Sequence, residues 1–125
     1  MREIKFRGKS TINGIWVYGY FFVNMGHYVI HNDEVTQPIH PWSVGQFTGL
    51  KDKNGKDIFE SDIIKASGNG IAEIIWCDLD AMFKTKWHDA VYRRIRGESE
   101  KIFSNHEITL EVIGNIHDNP ELLKQ

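Results

Sequence analysis

One cysteine, three prolines and no long apolar run occur in the 125 residues. Cys77 alone allows no disulfide within the chain, which fits a reducing, cytosolic compartment. The longest apolar stretch, Ile15 to Val23, is nine residues broken by Gly19, against about 20 for a membrane-spanning helix. The basic start, Arg2-Glu3-Ile4-Lys5-Phe6-Arg7-Gly8-Lys9, is followed by no apolar stretch of signal-peptide length. A soluble, cytoplasmic protein is expected. Charge of one sign is lacking too: 15 Lys and Arg face 17 Asp and Glu, net −2, which excludes a surface built throughout to neutralise phosphate. No long segment carries a capped 3.6-residue period, so helix is a minor element.

Apolar and aromatic side chains are plentiful, at 41% and 12%. They suffice for a core and exclude intrinsic disorder. The length fits one domain of the common size of roughly 100–150 residues. Three Asn-Gly pairs, Asn13-Gly14, Asn54-Gly55 and Asn69-Gly70, punctuate the first 70 residues. Both residue types tolerate positive φ, as the two central positions of a type I′ hairpin turn require. Strand-like flanks surround them: alternating Ile4-Lys5-Phe6-Arg7, then Ile15 to Val23, and later Asp62 to Ala66 and Ile71 to Trp76. The second of these is apolar on both faces and predicts a strand covered on both sides. Phe83-Lys84-Thr85-Lys86-Trp87 and His106 to Val112 alternate with period two and predict half-buried strands, the latter with Ile108, Leu110 and Val112 inward. Asn119-Pro120-Glu121 supplies a cap, a proline and a first-turn acid, predicting a short C-terminal helix. Pro38 and Pro41 forbid a central strand between them. They suggest a β-hairpin subunit over 1–37 within the single domain 1–125, packed on a barrel over 42–117.

The segment Ser43-Val44-Gly45-Gln46-Phe47-Thr48-Gly49-Leu50-Lys51-Asp52-Lys53-Asn54-Gly55-Lys56-Asp57-Ile58-Phe59-Glu60 resembles the signature of the YopX family, found mainly in bacteriophages and prophages. Arg2 to Lys9 and Trp16-Val17-Tyr18-Gly19-Tyr20 resemble its opening. Leu110 to Ile116 with Asn119 to Leu123 resembles its end. Glu60-Ser61-Asp62-Ile63 stands where the family usually has Glu-Gly-Asp-Ile; if that glycine serves a positive φ, Ser61 carries a strain of order 1 kcal/mol. Residues 79–104 show no counterpart. The resemblance implies a mainly β fold, an SH3-type barrel with an additional N-terminal β-hairpin layer, and it brings no catalytic residues with it. The signature itself suits structure: turn glycines, core positions at Phe47, Leu50, Ile58 and Phe59, and an exposed hairpin tip at Asp52, Lys53 and Lys56.

Sites of chemistry are weak. His31, Asp33 and His40 form one group and Cys77, Asp78, Asp80, His88 and Asp89 another, yet neither has the spacing of a zinc site. No metal and no cofactor is expected. Cys77 follows Ile74-Ile75-Trp76 and reads as a small buried hydrophobe rather than a nucleophile. Asp78 with Asp80 and Glu98 with Glu100 read as solvated loop acids, since nothing sets one of either pair apart. Ser67-Gly68-Asn69-Gly70 lacks the Lys-Ser/Thr of a P-loop and leads into a strand, so it is a turn.

Charge is unevenly spread. Residues 1–9 carry +3, 10–83 carry −5, 84–101 carry +3 and 102–125 carry −3. Arg93, Arg94 and Arg96 beside Tyr92 are the candidate contact for a partner or for nucleic acid, through guanidinium–phosphate pairing and stacking. Four Trp, four Tyr and seven Phe exceed what a small core hides. Some must be exposed, and aromatics favour interfaces, so a homo-oligomer is expected. The function expected is a non-enzymatic phage or prophage accessory protein, an interaction module working by self-association or by binding a phage or host protein. Nucleic-acid binding is the alternative.

Overall fold

A computed structural model describes residues 3–66, 70–79, 81–87 and 110–123. Ten strands follow in order: β1 (Phe6–Lys9), β2 (Trp16–Asn24), β3 (His27–His31), β4 (Thr36–Pro38), β5 (Gly45–Lys51), β6 (Asp57–Phe59), β7 (Asp62–Ala66), β8 (Ile71–Cys77), β9 (Met82–Trp87) and β10 (Leu110–Asn115). Two 3₁₀ turns, Pro41–Ser43 and Pro120–Leu123, are the only helical elements among the described residues. The protein is mainly β, with two sheets ordered β4-β3-β2-β1-β5-β6 and β10-β7-β8-β9. Two compact units divide the chain, Met1–Gly49 and Leu50–Gln125.

Within the first unit, β2 changes partner halfway. Its residues Trp16 to Gly19 pair with β1, and Tyr20 to Asn24 pair with β3. The hand-over depends on Gly19, where an added Cβ would lie 2.3 Å from the His31 carbonyl oxygen. Alternation then sorts the strand: Val17 is buried with Ile30 and Ile39, and Phe6, Phe21, Tyr28 and Val44 pack around them. Phe21 links Phe6 and Tyr28, with ring centroids 5.6 and 5.3 Å away. The opposite row is exposed at Tyr18, Tyr20 and Phe22, so β2 is covered on one face and not on two. β4 is a three-residue edge strand ending on Pro38, which suits a residue that donates no ladder hydrogen bond.

The second unit holds the larger core. Ile58, Ile64, Ala66, Ala72, Ile74, Phe83 and Leu110 form one buried cluster, with Leu50 and Val112 against it. β8 and β9 pair antiparallel from Ala72↔Trp87 to Cys77↔Met82, and buried Phe83 and Thr85 share a face, as the period of two predicts. Leu110 is buried and Val112 half-buried as expected, while Ile108 lies outside the described residues.

The turns differ from expectation in an instructive way. At Asn13-Gly14 and Asn54-Gly55 only the glycine has positive φ, 72° and 83°, so neither is a two-residue type I′ turn. Ser10 N–H donates to Ile15 O and Asn13 Oδ1 accepts from Ile15 N–H, which closes a four-residue loop. Asp52 N–H donates to Lys56 O around a three-residue loop. Among the described residues, the turn with two central residues at positive φ is Met25-Gly26, at 50° and 82°, between Asn24 and its partner His27. At the third pair, Ala66 N–H donates to Gly70 O, and the β7–β8 hairpin stands as expected.

Two further expectations are corrected. Neither sheet closes on itself among the described residues, so they do not form the closed SH3-type barrel that the resemblance implied; one sheet ends on three-residue strands at both edges, too short to carry a closing ladder. The C-terminal helix is a single 3₁₀ turn, Pro120–Leu123, made by Leu122 N–H donating to Asn119 O. Asn119 is drawn away from capping: its Oδ1 accepts from Asn115 N–H. One turn fixes several dihedrals for one hydrogen bond, so it does not propagate unaided.

Candidate functional site

β1 and β2 place two period-two rows on the same face. The β1 register sets Arg7 opposite Tyr18 and Lys9 opposite Trp16, and Lys5, which precedes β1, lines one depression with Tyr20. One row is therefore Lys5, Arg7 and Lys9, and the next is Trp16, Tyr18, Tyr20 and Phe22. On the far side, β3 sets His31 opposite Tyr20 and His27 opposite Asn24. An aromatic row is thus flanked by basic side chains on one side and histidines on the other.

The two ends of this face differ. Arg7 is buried and its guanidinium carbon lies 4.6 Å from the Trp16 ring centroid, with Lys9 Nζ at 5.5 Å. Trp16 is held by cations on its π-face. Further along, Tyr18, Tyr20 and Phe22 are 43, 69 and 42% exposed. Beside them opens a depression of about 530 Å³, walled by Glu3, Lys5, Tyr18, Tyr20 and Asn32. Lys5 Nζ sits 3.8 Å from Glu3 Oε1 and 5.1 Å from the Phe47 centroid. Asn32 braces the wall, with Nδ2 donating to Tyr18 O and Oδ1 accepting from Glu34 and Val35 N–H. Strands β1 to β4 contain no Asp or Glu; the carboxylates of this unit, Glu3, Asp33 and Glu34, all lie outside them.

The candidate residues read from the sequence fall elsewhere. Tyr92, Arg93, Arg94 and Arg96 lie outside the described residues, as do Asp80, His88, Asp89, Glu98 and Glu100. His31 Nδ1 is 2.6 Å from Thr36 Oγ1, whereas His40 stacks on Trp42 with centroids 5.1 Å apart. No group of three metal-ligating side chains occurs among the described residues. Cys77 is half-buried at the end of β8, less hidden than expected, because that strand ends at the turn beginning with Asp78.

The signature segment is structural in a way its composition does not show. Asp52, expected at an exposed tip, is buried. Its Oδ1 accepts from Asn54 and Lys56 N–H at 2.8 and 2.9 Å, and its Oδ2 accepts from Val112 N–H at 3.0 Å, 60 residues away. Burial pushes this carboxyl up, but the three backbone donors and the Lys56 charge outweigh it and hold it below its ordinary value. Asp62 is equally buried and accepts from Phe59 N–H at 2.7 Å across the tight turn. Ser61, within that turn, has φ 78°, so it occupies the conformation for which glycine is suited.

A search of curated proteins finds no match. Among solved structures, the chain is similar to the crystal structure of protein EF1440 from Enterococcus faecalis, with 25% identity and a TM-score of 0.59 over 99% of this chain and all of that one. The family model described as YopX protein matches residues 2–124. Opening, signature and C-terminal block thus all fall within one match, and the chain belongs to the YopX family.

Proposed function

We propose that the protein is a non-enzymatic accessory protein of a phage or prophage, working in the cytoplasm of the bacterial host as a small β-rich interaction module. It acts by surface recognition, through self-association or a phage or host protein. The observation that carries this reading is the row Tyr18, Tyr20 and Phe22, exposed side by side on one strand. Three adjacent aromatics left in water are what a contact surface requires, since aromatic area is the chief contributor to interfaces. Light scattering at micromolar concentration tests it: an oligomer that dissociates on Tyr20→Ala with Phe22→Ala is expected, and a monomeric wild type removes self-association.

A second reading, nucleic-acid binding, is favoured by one observation. The four strands of that face carry Arg7, Lys9, His27 and His31 and no carboxylate. A net charge of −2 over the chain argues against a whole-surface binder and leaves a local one open.

A further inference from the structure

We infer that the exposed face of β2 is a stacking platform for single-stranded nucleic acid, with bases on Tyr18, Tyr20 and Phe22 and phosphates along Lys5 and Lys9. This rests on the second reading above, nucleic-acid binding at that face, and names the kind of nucleic acid and the residues that would hold it.

Geometry is the first support. Residues two apart on a strand lie about 7 Å from each other on one face, so the three rings form a linear track open to solvent. Single-stranded binders combine such aromatic steps with a cationic groove that follows the backbone, and every base offers a π-face to stack. A cationic row accompanies them: Arg7 and Lys9 lie on β1 opposite Tyr18 and Trp16, and Lys5 precedes that strand. Arg7 is buried against Trp16 and fixes the end of the track rather than meeting a ligand.

Charge is the second support. Lysine is depleted at the cores of protein interfaces, yet here lysines flank the exposed rings. Strands β1 to β4 bring Arg7, Lys9, His27 and His31 and no carboxylate to this surface, which suits an anionic chain. Glu3 is the nearby carboxylate, paired with Lys5 at 3.8 Å, and an incoming phosphate would compete with it. Asp33 and Glu34 lie in the turn between β3 and β4, at the Asn32 side of the depression.

The test is fluorescence anisotropy of labelled dT12 with the full chain at 50 and 150 mM salt, run beside sedimentation velocity of the protein alone. Binding to dT12 is expected, weakening about fivefold between the two salts if two phosphates are neutralised. Tyr18→Ala with Tyr20→Ala should weaken it at least roughly tenfold, while Tyr20→Phe, which keeps the ring, leaves it unchanged. Lys9→Ala should flatten the salt dependence and Glu3→Gln should tighten binding about two- to threefold. Circular dichroism of each variant checks the fold, and Tyr20→Phe with Glu3→Gln keep the question answerable if the double alanine variant unfolds. No binding at 50 mM salt overturns the inference, as does preference for duplex, or binding indifferent to the tyrosine changes. If dT12 does not bind but Tyr20→Ala alters the sedimenting mass, the occupant is a second copy and the recognition surface stands. If Tyr20→Ala changes neither, the inference falls, and self-association through this face falls with it.

Discussion

The two units of the chain use their apolar residues differently. In residues 50–125 a cluster of seven buried side chains, from Ile58 to Leu110, fills the interior, and two buried aspartates tie turns to strands. In residues 1–49 the buried cluster is three residues, Val17, Ile30 and Ile39, while three aromatics of β2 stay in water. Similar strand sequences thus serve opposite ends. The second unit spends apolar area on stability, since each fully buried Ile contributes about 1.5–3 kcal/mol. The first keeps part of its area available for contact.

That contrast can be broken in order of expected effect. Ile74→Ala in the second unit should cost about 3 kcal/mol in urea unfolding, the usual range for deleting a buried branched chain, whereas Tyr20→Ala in the first should change stability by under about 0.5 kcal/mol. Equal losses would dissolve the contrast. Asp52→Ala strands three backbone donors and should cost about 2–3 kcal/mol, with Asp52→Asn costing less because one acceptor oxygen remains.

The same carboxylate predicts an acid response. Its folded pKa lies below the ordinary value of 3.8, so its contribution is fully present above that value and is lost as pH falls through the depressed one. Unfolding followed between pH 5 and 2 should therefore show wild type losing stability more steeply than Asp52→Asn. Parallel curves would mean that Asp52 contributes nothing through its charge.

Smaller effects test the turns. Ser61→Gly should stabilise by about 0.5–1 kcal/mol, because φ 78° is costly for serine. Met25→Asn should add about 0.5 kcal/mol or less, since asparagine tolerates the φ of 50° better than methionine. A loss in thermal melting for either would show that the side chain, not the backbone, decides the site.

Much of the fold was legible because strand signals are local. Period-two alternation found β9 and β10, and the glycine-rich turn before Ile71 found the β7–β8 hairpin. Asn-Gly marked chain reversals but not their type. Side-chain hydrogen bonds from Asn13 and Asp52 stabilised longer loops, and the two-residue turn fell at Met25-Gly26, where composition gives a weaker sign. The resemblance implied a barrel and the capping pattern at Asn119-Pro120-Glu121 a short final helix, and both were corrected, because closure and helix formation depend on which groups pair across the chain.

The candidate surface was half legible. Lys5, Arg7 and Lys9 alternate in the sequence, as do Trp16, Tyr18, Tyr20 and Phe22. What concealed it was that Val17, Phe21 and Val23 on the opposite face of β2 are apolar too, so periodicity could not say which row met water. Composition, turn positions and the family signature follow from residue identity alone, because each rests on short-range backbone preference. The exposed row of β2 and the burial of Asp52 follow from register and from a hydrogen bond spanning 60 residues, and pairings over such distances exist only once the chain has folded.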